Sequence, residues 1–162
     1  MHSRREGFCI EDWEKDMIYA AYGSNMNIEQ MKYRCPESKI IGNGKLKGWK
    51  LVFNVYADVI KGEPDDVVPV VCWDIAESDW DRLDIYEGFP IYYVKETVDI
   101  VLDDGRNEEV IVYVMADDRK GLCLPYREYL KVCIQGYKDN GIDVQPLYEA
   151  LKYTRDNSQQ GQ

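Results

Sequence analysis

Residues 17–27 read MIYAAYGSNMN, and the order of residue types inside this stretch sets how the rest of the chain is laid out. Met17 to Ala21 is a short apolar run carrying an aromatic, the pattern of a buried strand. At Tyr22-Gly23-Ser24-Asn25 the run stops in the composition of a tight loop. From Asn27 onward Ile28, Met31 and Cys35 recur at helical spacing, and Gln30 stands three residues after Asn27, a partial capping box. The predicted order is strand, glycine loop, helix. The first N–H groups of a helix lack internal partners and carry the positive end of its dipole. Such a loop can hold an anion or a developing oxyanion, with Gly23 allowing close approach of the backbone or a positive φ. Taken alone, the stretch also reads as an ordinary strand-to-helix turn.

Outward from it, Cys35-Pro36-Glu37 stops the helix and Gly42, Gly44 and Gly48 punctuate a connection. Trp49 to Tyr56 reads as one strand with Trp49, Leu51, Phe53 and Val55 on a face, and Val67 to Trp73 as a central strand. Ser78 to Asp81 reads as a capping box opening a short helix with Trp80 and Leu83 inward. That helix leads into the turn Tyr86-Glu87-Gly88-Phe89-Pro90 and a long strand, Ile91 to Leu102. Asp104-Gly105 signals a hairpin to a strand from Glu109 to Met115. Pro125 starts a helix with an inward stripe of Tyr126, Leu130, Cys133, Ile134 and Tyr137, and Pro146 starts a last one. The expected organisation is an extension over residues 1–16, a single domain over 17–155 and a polar tail over 156–162. The expected class is α+β, the strands closing into one small mixed β-barrel or curled sheet with flanking helices.

Composition narrows the function. A net charge of -10 with no basic cluster argues against nucleic acid or an anionic membrane as partner. No apolar segment nears the roughly 20 residues that span a bilayer. The first sixteen residues lack the apolar core of a secretory leader, so a cytoplasmic protein is expected. Cys9, Cys35, Cys72, Cys123 and Cys133 form no metal-type pair, and reduced thiols are their simplest account. With His2 as the one histidine, histidine-based triads and metal sites are set aside. Carboxylates, tyrosines, hydroxyls and backbone groups are left to do any chemistry. Among the carboxylates Glu87 stands out, at the junction of a helix and a glycine turn between Tyr86 and Phe89. Aromatic surroundings there would raise its pKa toward neutrality and let it exchange a proton at pH 7, although an exposed turn glutamate has the same local sequence.

Five segments, IYAAYGSNM, RCP, GKLKGWKLVF, LDIYEGFPIYYVK and LPYREYLKVCIQGYKDNGI, resemble the γ-glutamylcyclotransferase-like family in order and approximate spacing, over about residues 17 to 153. The resemblance implies that family's fold, a small mixed β-barrel with helices. It implies Tyr22, Gly23, Ser24 and Asn25 as the substrate-binding loop, Glu87 as catalytic acid/base, and Tyr93 and Tyr129 as pocket lining. Tyr92 and Tyr93 alternate in direction, so one of them faces inward, and the resemblance selects Tyr93. Where the family commonly has a serine after the proline, this chain has Tyr126. The activity implied needs no cofactor and no metal: the α-amine of a small γ-glutamyl compound attacks its own side-chain carbonyl, giving 5-oxoproline and a free amine or amino acid. The alternatives are a binding module that keeps the pocket without turnover, and a specialised enzyme of secondary metabolism that removes a γ-glutamyl protecting group. The oligomeric state is not legible.

Overall fold

The apolar run after Met17 forms strand β1 (Ile18–Ala21), with Tyr19, Ala20 and Ala21 buried. The computed structural model describes residues 17–158, so the expected extension over 1–16 and the last four residues of the tail lie outside the described residues. The remaining strands are β2 (Lys39–Lys47), β3 (Trp49–Asn54), β4 (Tyr56–Lys61), β5 (Val67–Asp74), β6 (Tyr93–Leu102) and β7 (Asn107–Met115). The helices are α1 (Ile28–Arg34), α2 (Glu77–Glu87), α3 (Arg127–Asp139) and α4 (Gln145–Asn157). Strands β1, β5, β2, β6 and β7 close a barrel in that order, and β3 and β4 form a separate hairpin. The barrel is mixed because β1 runs antiparallel to β5 and parallel to β7. The expected α+β class, a small mixed barrel with flanking helices, is the observed one. No helix among the described residues is long and apolar enough to cross a membrane.

The local expectations fail where distant segments decide. The glycine-punctuated stretch after Cys35 is not a connection but strand β2, hydrogen-bonded to β5 along most of its length. A Cβ at Gly44 would stand 3.1 Å from both Ile100 Cδ1 and Val101 O on β6. Its absence lets the two strands approach and close the barrel. The single strand expected from Trp49 to Tyr56 breaks at Val55, which takes φ 70°, so that Asn54 faces Tyr56 across the β3–β4 turn. A positive φ costs a β-branched residue on the order of 1–3 kcal/mol. Bonds from elsewhere hold it: Val55 N–H donates to Cys123 O at 2.9 Å and Gly121 N–H donates to Asn54 Oδ1 at 3.1 Å.

Smaller corrections have the same origin. No capping box forms at Ser78, because α2 starts at Glu77 behind Ala76. Asp79, nearly inaccessible, instead accepts from Glu37 N–H and Ser38 Oγ, both at 2.9 Å, and pins the turn after α1. Strand β6 begins at Tyr93, two residues later than expected. Tyr126 is not part of an inward stripe; it precedes α3 and is exposed, while Cys133, Gly136 and Tyr137 are the buried face. Helix α4 continues to Asn157, past the expected start of the tail.

Two contacts fix the frame of the site. Asp84 on α2 accepts from Tyr113 Oη of β7 at 2.5 Å and pairs with Lys95 Nζ of β6 at 3.1 Å, while Trp80 and Leu83 of the same helix are buried. Across the barrel mouth, α3 lies on the turn after β1. There Asn27 Nδ2 donates to Val132 O at 3.1 Å and Asn140 Nδ2 donates to Met26 O at 2.8 Å.

Candidate active site

The loop after β1 is a single 3-10 turn, Ser24–Met26, leading to Asn27, whose side chain caps α1 by accepting from Gln30 N–H at 3.0 Å. That is the capping half of the expected box. Gly23 does not take a positive φ; it sits at φ -125°, ψ -127°, outside the main regions open to residues with a Cβ. The space around it is also closed, since a Cβ would lie 3.0 Å from Ala57 Cβ and 3.1 Å from Tyr129 Oη. Met26 and Asn27 N–H donate back to the Gly23 and Ser24 carbonyls. Among the described residues nothing accepts from the N–H groups of Gly23, Ser24 and Asn25. The loop keeps donors available, as its composition suggested.

Asn25 is the centre of the arrangement. Its backbone carbonyl accepts from Trp73 Nε1 at 3.1 Å. Its side-chain Oδ1 accepts from Arg34 Nη1, and its Nδ2 donates both to Tyr19 Oη at 3.0 Å and to Glu87 Oε2 at 3.3 Å. The loop and the carboxylate, 62 positions apart in sequence, therefore meet directly. Both line one cavity of about 680 Å³.

Glu87 is the last residue of α2, where Gly88 leaves the helix in the left-handed conformation (φ 69°). Desolvation pushes its carboxyl up to about 8; the Arg34 guanidinium works against that shift and the Asp84 carboxylate adds to it. The negative end of the α2 dipole acts in the same sense as burial. A carboxyl held there is mostly protonated at neutral pH, with roughly a tenth of it ionised, and lies close enough to that pH both to take and to return a proton.

The tyrosines divide by what holds them. Tyr22 Oη donates to Tyr113 O at 2.6 Å, so this residue supplies wall while its proton is committed. Tyr93 Oη donates to Ala57 O at 2.8 Å, and Ala57 N–H donates to Tyr129 Oη at 3.0 Å, so both hydroxyls are set by one residue of β4. Burial raises all three above the ordinary tyrosine range, which keeps them neutral hydroxyls. Tyr93 and Tyr92 both line the cavity, contrary to the expectation that only one does: Tyr92 precedes the strand, so strict alternation does not apply, and it stands at the rim. Every residue selected from sequence, Tyr22, Gly23, Ser24, Asn25, Glu87, Tyr93 and Tyr129, lines this one cavity.

Sequence reasoning missed Arg34. Its Nη1 donates to Ser24 Oγ at 3.3 Å and to Asn25 Oδ1, and its guanidinium lies 3.5 Å over the Tyr86 ring. It clamps the loop to the helix end that carries Glu87. The one signal available was its place in the Arg-Cys-Pro segment at the end of α1. Because this cation lowers the Glu87 pKa, Arg34→Met is expected to move the Glu87 titration above about 8. Carbon-13 NMR of labelled glutamate side chains reads that midpoint, and an unmoved midpoint would remove Arg34 from the electrostatics of the site. No cluster of three or more His, Cys, Asp or Glu among the described residues is arranged to hold a metal ion.

Residues 19–131, well over half of the chain, match the sequence model of the family described as gamma-glutamyl cyclotransferase, AIG2-like. The chain belongs to this family. A human γ-glutamylcyclotransferase is 27% identical over 161 residues, an alignment covering 91% of this chain and 84% of that protein. A putative γ-glutamylcyclotransferase of Methanocaldococcus jannaschii is 32% identical over 77 residues, 47% of this chain and 64% of that one. A solved structure titled gamma-glutamyl cyclotransferase superposes with a TM-score of 0.71 at 26% identity, covering 86% of each chain. Within the γ-glutamyl cyclotransferase, AIG2-like family, then, this member has the barrel of that solved structure.

Proposed function

We propose that the protein is a cofactor-independent γ-glutamyl cyclotransferase that converts a small γ-glutamyl compound to 5-oxoproline and a free amine. The observation that carries this reading is the Asn25 Nδ2 to Glu87 Oε2 contact at 3.3 Å, which brings the donor-rich loop and a carboxyl poised near 8 into one cavity. The substrate contains its own nucleophile, so the protein's task is to fold it and to move protons. Folding the chain into its cyclising shape is a positional effect worth several kcal/mol. Glu87, ionised, takes a proton from the α-ammonium, and the freed amine attacks the side-chain carbonyl carbon. A C–N bond forms to close the five-membered lactam. The oxygen of that carbonyl gains charge, which the free N–H groups of Gly23 to Asn25 are suited to receive; one such donor is worth roughly 3 kcal/mol elsewhere. Protonated Glu87 then gives its proton to the departing nitrogen as the original amide C–N bond breaks. The carboxylate so regenerated takes the second proton from the ring nitrogen and passes it on to the released amine, which leaves as an ammonium ion beside a neutral lactam.

The net charge of -10 supports a small-molecule substrate held by local donors over a nucleic-acid partner. The free cysteines Cys35, Cys72, Cys123 and Cys133 accord with a reducing, cytoplasmic setting. The test is to incubate the protein with a panel of γ-glutamyl amines and amino acids and to follow the lactam by mass spectrometry. Release of 5-oxoproline is the expected result. Binding of these compounds without any lactam would replace the enzyme with a binding module.

A further inference from the structure

Tyr56, Ile85, Tyr92 and Tyr126 come from four separate parts of the chain, yet all remain exposed and all line the cavity that holds Glu87. Scattered exposed apolar side chains need no explanation, but a group that gathers at one opening does. The group is continuous with the interior, because the Tyr56 ring meets the Tyr129 ring edge-on with centroids 5.0 Å apart. Tyr129 Oη in turn lies 3.1 Å from where a Gly23 Cβ would stand. An aromatic wall therefore runs from the loop to the mouth. At the same opening the Arg119 guanidinium lies 4.4 Å from the Tyr92 ring centroid.

If the γ-glutamyl part of the substrate occupies the inner, polar end, as the cyclisation at Glu87 requires, the departing amine points along this wall. A cavity of about 680 Å³ falls in the range that takes ligands far larger than a γ-glutamyl group. Its outer half offers ring faces and edges, which favour another aromatic ring beyond simple area burial. We propose that the collar of Tyr56, Tyr92 and Tyr126 is a leaving-amine subsite that selects γ-glutamyl compounds whose departing amine carries an aromatic ring. The inference rests on the cyclotransferase reading for the orientation of the substrate.

The test compares γ-glutamylphenethylamide, γ-glutamylphenylalanine and γ-glutamylalanine on the wild-type protein and on Tyr126→Ala. Tyr126 makes no side-chain capping bond and is 66% exposed, so the substitution leaves the fold intact. Both aromatic compounds are expected to exceed γ-glutamylalanine in kcat/KM by about 10-fold or more, the scale on which an apolar pocket discriminates, and Tyr126→Ala should remove most of that advantage. A lead for the phenylalanine compound assigns the α-carboxylate to Arg119, and a lead for the phenethylamide assigns a simple aromatic amine; both keep the ring subsite. Equal turnover of all three overturns the subsite while leaving the cyclotransferase in place. If none yields 5-oxoproline, the reaction is lost and calorimetric binding of the same compounds decides the collar. Tighter binding of the aromatic pair, reduced in Tyr126→Ala, upholds it, and equal affinities overturn it.

Discussion

Replacing Glu87 by glutamine is expected to cut 5-oxoproline release about 100-fold or more while leaving the fold in place. Glutamine keeps the length and shape of the side chain but cannot carry the proton from the α-ammonium to the leaving nitrogen. The same variant gives a second readout, because the wild-type carboxyl titrates at about 8 in the folded protein against an ordinary value of 4.5. The folded state thus binds this proton more tightly than the unfolded chain. The stability it contributes is full below about 4.5 and is lost as the pH rises through about 8. Glutamine does not titrate, so the part of the wild-type decline in Tm across that window that belongs to Glu87 should vanish. Thermal unfolding at both ends of the window, with the lactam assay beside it, separates the cases. Unchanged turnover would end the role of Glu87 as base. Lost turnover together with a collapsed Tm would make the residue structural.

Gly136→Ala is expected to destabilise the protein by about 3 kcal/mol, the upper range for forced overpacking. Helix propensity alone predicts the opposite sign, since alanine is favoured over glycine inside a helix by roughly 1 kcal/mol. Packing wins because the added Cβ would lie 2.7 Å from Asn27 N and 2.8 Å from Met26 C and Cβ, two of them backbone atoms of the turn that α3 covers. Those atoms cannot swing away as a side chain would. For a chain of this length the loss corresponds to a fall in Tm on the order of 6–12 °C. The variant should also lose activity, because Met26 ends the turn that contains Ser24 and Asn25. A Gly136→Ala protein as stable as wild type would mean that α3 can slide off the turn without cost.

What could be read from the linear chain was whatever local pattern alone enforces. The apolar run into Tyr22-Gly23-Ser24-Asn25 has to be a strand entering a loop, Asn27 has to cap the helix that begins at Ile28, and both hold in three dimensions. Strand β4 was invisible because nothing near Val55 requires a turn; the requirement comes from Cys123 and Gly121, more than sixty positions away. Strand β2 was hidden because glycine reads as punctuation, whereas at Gly44 it is clearance for Ile100 and Val101. In the site, the loop and Glu87 were legible as residue types and through the family resemblance. Their meeting through Asn25, the clamp from Arg34 and the anchoring of Tyr93 and Tyr129 on Ala57 depend on elements brought together only by barrel closure. Tyr22 shows the converse: it lines the cavity, but its hydroxyl is spent on the backbone of β7, which no local pattern announces.

Helix α2 ends on Glu87, is tied down one turn earlier through Asp84, and is released by Gly88. Successive residues of an α-helix point about 100° apart around its axis. The three-residue interval from Asp84 to Glu87 is therefore an angular setting, and the carboxyl has one correct phase. Conservative exchanges within the interval leave that phase untouched, while inserting or deleting a single residue would turn Glu87 out of the cavity with both Asp84 and Glu87 still present.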